Sequence, residues 1–188
     1  MEIVIEPLLT SLNGNTLNEL VKDTSREFGG ARVTLAHRAN DSTISALKKN
    51  AKFQSLFDTN RNQWNSPKLL DWLYDKLKPN KERRILVILD VDAYSNGLNF
   101  VLGEAFPKGR LGVVYLPRIK EEFYGLKPND SLFYQRMVKE CVHELGHLFG
   151  FVHCHNIECV MHFSNTLGDT DIKGKSFCNA CKTKKPIF

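Results

Sequence analysis

The chain has 188 residues; 42% are hydrophobic, 25% are charged, and the formal net charge is +5 at pH 7. That length suits one domain with its own hydrophobic core, and the composition excludes wholesale disorder. No apolar run approaches the roughly 20 residues that span a bilayer, the longest being Ile85 to Leu89. Met1 to Pro7 carry neither the basic start nor the apolar stretch of a secretory signal, so a cytoplasmic protein is expected. In a reducing compartment its five cysteines are thiols or metal ligands more readily than disulfides. The small basic clusters Lys48-Lys49, Lys81 to Arg84 and Lys182 to Lys185 read as solvated surface. Neither a nucleic-acid nor a membrane partner is expected, and the chain is expected to be a monomer.

Ile3 to Leu9 reads as a first strand, ended by Pro7 and its neighbours. Leu17, Leu20, Val21 and Phe28 form an apolar stripe at helical spacing and predict a helix over Thr16 to Phe28, stopped by Gly29-Gly30. Val33 and Leu35 alternate with polar residues and predict a second strand over Arg32 to Arg38. Residues 41–63 are ambiguous, helical in part and loop in part. Ser66-Pro67 has the form of a helix start, with Ser as N-cap and Pro at the first helical position. Leu69, Leu70, Trp72, Leu73 and Leu77 continue that helix until Pro79. Ile85 to Leu89 suits the buried middle of a sheet. Leu98 to Ala105 and Leu111 to Leu116 read as two strands joined by a turn at Pro107 to Arg110. Asp130 or Ser131 is expected to cap a last long helix ending at Leu148, with Phe133, Met137, Cys141, Leu145 and Leu148 on its inner side. After Gly150 the periodicity fades, and Cys, His, Asn and Gly take over.

The chemistry concentrates at the end of that helix, in His143-Glu144-Leu145-Gly146-His147-Leu148-Phe149-Gly150-Phe151-Val152-His153. Four residues apart, His143 and His147 project from one helical face and can share a zinc ion. Gly150 can leave right-handed helical geometry, and a turn there would bring His153 back to the same metal. Three histidines leave the fourth position open for water, the arrangement of a catalytic zinc. Glu144 lies beside the first ligand, where a carboxylate can take the proton of zinc-bound water.

A second donor set follows. Cys154 and Cys159, then Cys178 and Cys181, supply four thiols in two close pairs, enough to close the shell of a structural zinc. The intervening segment is too polar to pack alone, so metal would contribute much of its folding free energy. Phe177 and Val160 are candidates to pack around that site. His155 and His162 fall outside the helical spacing and read as exposed or supporting residues. Cys141 reads as a small buried hydrophobe, Met161 as core, and His37 as structural.

Together these residues resemble the archaemetzincin branch of the metzincin zinc peptidases. The resemblance is dense over Arg136 to Cys181 and looser over Val113 to Arg118 and Phe123 to Gly125. It implies an α+β fold: a twisted mixed β-sheet above a cleft, a backing helix, an active-site helix and a small zinc-stapled C-terminal subdomain. Residues 1–188 would then form a single catalytic domain, split into 1–150 and 151–188. The resemblance further implies catalytic zinc on His143, His147 and His153, with Glu144 as general base and acid. Met161 would lie beneath that metal, and a second zinc would sit on Cys154, Cys159, Cys178 and Cys181. The partner would be a peptide or protein substrate, added to a sheet edge within residues 98–116. Many metzincins have a tyrosine shortly after the methionine; here no tyrosine follows Tyr134, which leaves Tyr115, Arg118 or Tyr124 as candidate oxyanion donors. The chain starts so close to its first strand that no inhibitory pro-segment is expected. Two other readings remain: a peptide-binding module with little turnover on the same scaffold, and a nucleic-acid-associated zinc module.

Overall fold

The computed structural model describes residues 1–36, 47 and 49–184 of the chain. In chain order the strands are β1 (Glu2–Leu9), β2 (Arg32–Leu35), β3 (Phe57–Asp58), β4 (Gln63–Asn65), β5 (Arg83–Leu89), β6 (Ala93–Tyr94), β7 (Gly103–Phe106) and β8 (Leu111–Tyr115). The main sheet has the order β2-β1-β5-β8-β7. β7 pairs antiparallel with β8, and the other pairings are parallel. The helices are α1 (Gly14–Glu27), α2 (Ala51–Gln54), α3 (Ser66–Leu77), α4 (Asp130–Leu148), α5 (Leu167–Ile172) and α6 (Asn179–Lys182).

Successive residues of a strand face opposite sides of the sheet, and the apolar run of β5 therefore feeds two cores. Leu86 and Ile88 join Ile3, Ile5 and Val114 on one face, where Leu17 and Leu20 of α1 and Met137, Cys141 and Leu145 of α4 cover them. Ile85, Val87 and Leu89 join Leu111 and Val113 on the other, beneath Leu69, Leu70, Trp72 and Leu73 of α3. The result is a mixed α+β sandwich of helix, sheet and helix. Helix α4 packs along the half of the sheet that ends in β7, which is an edge strand.

Four helix starts share one device, Asn50 at α2 among them, its Oδ1 accepting from Phe53 N at 2.9 Å. The carboxamide oxygens of Asn13, Asn65 and Asn129 accept from the backbone N–H groups of Thr16, Lys68 and Leu132 at 2.9, 3.1 and 3.0 Å. The caps at Asn65 and Asn129 displace those expected from the sequence. Ser66 is the first helical residue rather than the cap, and its buried Oγ accepts from Tyr115 OH at 2.7 Å. Asn129, not Asp130 or Ser131, caps α4.

The expected strand from Leu98 starts only at Gly103. Val101 and Leu102 each make a single backbone bond, to Ala93 O and from Tyr115 N, and do not continue the ladder. The ambiguous stretch contributes α2, β3 and β4; β4 pairs with β3 and β6 in a small second sheet. The second expected strand is described as far as Leu35; its residues 37 and 38, including His37, lie outside the described residues. Among the described residues, no helix is long and apolar enough to cross a membrane.

The segment after Gly150 is clamped to α4. Arg136 makes two bonds of 2.7 Å to the Asp171 carboxylate. Lys139 Nζ donates to Thr170 O and Asp171 O, both at 2.9 Å. Phe177 reaches back to stack on Phe151 and to meet Phe28 edge-on, inside the main core.

Candidate active site

Helix α4 ends in a Schellman turn. Gly150, at φ 86°, lets Phe151 N donate to Gly146 O and Gly150 N to His147 O, both at 3.0 Å. The chain therefore folds back under its own last turn, and His153 meets the two helical histidines. His147 Nε2 stands 3.1 Å from His143 Nε2 and 3.2 Å from His153 Nε2. Nitrogens bound tetrahedrally to one zinc stand about 3.3 Å apart, given Zn–N distances near 2.05 Å. The three donors thus have the spacing of a shared ion.

Their protonation suits the same purpose. His143 Nδ1 donates to Val160 O at 2.7 Å and His147 Nδ1 to Phe151 O at 2.8 Å. In a neutral imidazole this leaves the Nε2 lone pairs free for a metal. Burial lowers the pKa of His143, His147 and His153, which favours the neutral, ligating form.

Glu144 is buried behind the cage, against β7. A Cβ on Gly103 would stand 2.6 Å from Glu144 Oε1, so the strand approaches the carboxylate more closely than a residue with a side chain could without displacing it. Burial, followed by the charge of Glu140, raises the Glu144 carboxyl well above the usual range. A carboxyl so placed takes up a proton more readily than an exposed one, as a group that accepts and returns a proton must.

The floor of the cage is the segment 159–162. Val160 O holds His143, while Met161 O accepts from Cys154 N at 2.9 Å. The Met161 side chain is fully buried beneath Gly146, where an added Cβ would stand 2.4 Å from Met161 Sδ. The thiols lie just beyond. Cys154 and Cys178 Sγ are 3.8 Å apart, as are Cys159 and Cys181 Sγ. Sulfurs sharing a tetrahedral zinc stand about 3.8 Å apart, given Zn–S distances near 2.3 Å, whereas a disulfide brings them to about 2.05 Å. All four thiols fall within 4.8 Å of one another. A backbone hydrogen bond from Cys181 lowers the Cys178 thiol to about 7, while burial raises Cys159 and Cys181.

The profile of peptidase family M54 matches residues 9–185. The chain belongs to that family. An archaemetzincin from Pyrococcus horikoshii is 45% identical over 134 residues, covering 71% of each chain. The solved archaemetzincin of Archaeoglobus fulgidus superposes with a TM-score of 0.72 at 31% identity, covering 98% of this chain and 99% of that one. A zinc-dependent peptidase from Methanocorpusculum labreanum gives 0.79 at 26% identity, covering 97% and 98%. The family membership makes this chain a zinc metallopeptidase acting on peptide bonds, on a scaffold whose three histidines and four cysteines could each hold a metal ion.

The three candidate oxyanion donors are engaged elsewhere. Tyr115 OH is buried against Ser66 on the far side of the sheet. Arg118 is held bidentately by Asp92 at 2.6 and 2.9 Å, and Tyr124 OH donates to Arg118 O. None of them lines the hollows beside the histidines. Cys141 is wholly buried, as its place on the inner stripe predicts. His162 Nδ1 donates to Cys154 O at 3.0 Å, and His155 is exposed. Sequence reasoning passed over Glu104, Glu140, Ser164 and Lys173, which line the cleft from β7, α4, the loop after Met161 and the end of α5. No local spacing marks them, because only the fold brings them together.

Proposed function

We propose that His143, His147 and His153 hold the catalytic zinc of this peptidase, with Glu144 as its general base and acid. Cys154, Cys159, Cys178 and Cys181 hold a second, structural zinc. The observation that carries the reading is the convergence of three lone-pair-bearing Nε2 atoms at ligand spacing, beside a buried carboxyl. Zinc, when bound, supplies a Lewis acid that acidifies water and polarises a carbonyl. The chain supplies the rest. A peptide lies extended along edge strand β7, whose outer backbone groups face the cleft. Glu144 Oε1 or Oε2 takes a proton from the attacking water and delivers it to the leaving amine nitrogen. Buried walls around Glu144 keep that proton from bulk solvent.

On this reading residues 1–188 are one catalytic domain, and the segment 151–188 is its zinc-stapled subdomain. The shared floor supports this, since Val160 and Met161 serve the histidine cage while Cys159 belongs to the thiols. A monomer in a reducing cytoplasm, where thiolates persist, fits the same picture.

The test is cleavage of a broad peptide library by zinc-loaded protein. Replacing Glu144→Ala is expected to lower turnover by about 10²–10⁴-fold while zinc content holds. Equal cleavage by the variant would defeat the assignment; stable peptide complexes with no turnover in either protein would support a binding role instead.

A further inference from the structure

Among the described residues, five buried side-chain polar atoms lack a hydrogen-bond partner: Thr24 Oγ1, Trp72 Nε1, Glu104 Oε2, Ser164 Oγ and Lys173 Nζ. Three of the five line the cleft. Protein interiors leave few such groups unsatisfied, so their concentration at one place marks where another molecule completes them.

Ser164 Oγ and Lys173 Nζ share a cavity of about 240 Å³ between residues 97–103 and 163–165. Its helical wall runs from Glu140 through His143 to Glu144. The Lys173 side chain is fully buried, and its Nζ stands 2.9 Å from Glu140 Oε1. That ion pair engages one side of the ammonium, and no hydrogen bond satisfies its remaining donors. Glu140 Oε1 already accepts from Thr170 Oγ1 at 3.0 Å. An ammonium and a hydroxyl, both with donors to spare, therefore face a space sized for one substrate side chain.

The neighbouring hollow is lined by no Lys or Arg. It contains His147 and His153 with Glu104, whose Oε2 has no partner. Glu144 lines both spaces. The leaving amine, which receives the proton of Glu144, belongs to the residue after the scissile bond. That residue therefore enters the space beyond Glu144, away from the other two histidines. Lys173 offsets Glu140 in that space, whereas no Lys or Arg offsets Glu104 next door, so a negative group is better placed beside Lys173.

We propose that this cavity selects a carboxylate on the residue following the scissile bond, with Lys173 Nζ and Ser164 Oγ as its donors. The carboxylate is either an acidic side chain or a free chain terminus. The proposal rests on the peptidase reading of the histidine cage and Glu144.

The test measures binding rather than turnover. Probes carry a hydroxamate to anchor at the zinc-loaded cage, followed by Glu-amide or Gln-amide, or by Gly with a free or amidated terminus. Calorimetry on the full chain should show one acidic probe binding about tenfold tighter than its neutral partner, the scale of one charge-assisted hydrogen bond. Preference within the first pair assigns the side chain, and within the second the terminus. Lys173→Met alone would strand a buried Glu140 charge, so the variant used is Lys173→Met with Glu140→Gln. That double variant should abolish the preference and leave the neutral probes unchanged; Ser164→Ala should reduce it. Equal binding of all four probes overturns the carboxylate pocket alone. Failure of every probe to bind overturns the zinc cage, and this inference with it.

Discussion

The histidine cage and the cysteine cluster occupy one short stretch of chain and share a floor, yet they differ in closure. Two of the four cysteines are buried and the other two half-buried, and all four point at one another. The cage grades from buried His143 to exposed His153 and opens onto the cleft. Donor type sharpens the difference. Four thiolates more than neutralise a zinc ion and fill its shell, whereas three neutral imidazoles leave both its charge and one position available. One metal can thus serve as a staple or as a reagent, depending on what the chain places around it.

Breaking the staple is expected to have the largest effect. Structural zinc contributes about 10–16 kcal/mol in small zinc-finger peptides, more than most whole domains retain as net stability. Cys178→Ser should therefore remove the second ion and unfold the segment after Gly150, read as a lost thermal transition and rapid proteolysis there. An unaltered melting curve would mean that the thiols carry no staple.

A smaller effect is expected where the two sites meet. Gly146→Ala gains about 1 kcal/mol of helix propensity, but its Cβ would meet Met161 Sδ in a fully buried space. Overpacking of this kind costs about 1–3 kcal/mol, so chemical denaturation should show a modest net loss. A gain in stability would show that the floor is not packed as described.

The smallest change in stability, with a clear change in rate, is expected at Gly103→Ala. The new Cβ would meet Glu144 Cγ and Oε1, both at 2.6 Å, so the buried carboxylate must shift. Stability should move by less than about 1 kcal/mol, while misplacement of the carboxylate should lower kcat/KM by roughly tenfold or more. Equal kcat/KM in the two proteins would show that Glu144 does not need its present position.

What was legible in the sequence follows from how local each constraint is. The i, i+4 spacing of His143 and His147 obliges both rings onto one helical face, and Gly150 signals the turn that returns His153. The cysteine pairs are equally local. The apolar run of β5 and the stripe of α4 place sheet and helix for the same reason. The residues that were not legible depend on long-range packing. Ser66 looks like a cap until Tyr115 arrives from 49 residues away. Residues 98–102 have strand-like composition, yet they lie at the open edge of the sheet and turn towards the cleft. Lys173 and Glu140 carry no motif, and their pairing exists only because α5 is clamped along α4. Asparagine caps displaced the expected ones at Ser66 and at Asp130 or Ser131 because an Asn just upstream reached the same N–H groups.

The separation of the two metal sites is tested most directly by zinc content of His147→Ala, measured by elemental analysis on folded protein. Two ions per wild-type chain and one per variant chain, with the thermal transition preserved, is the expected result. Retention of both ions, or loss of both together, would contradict a separable catalytic cage beside an independent staple.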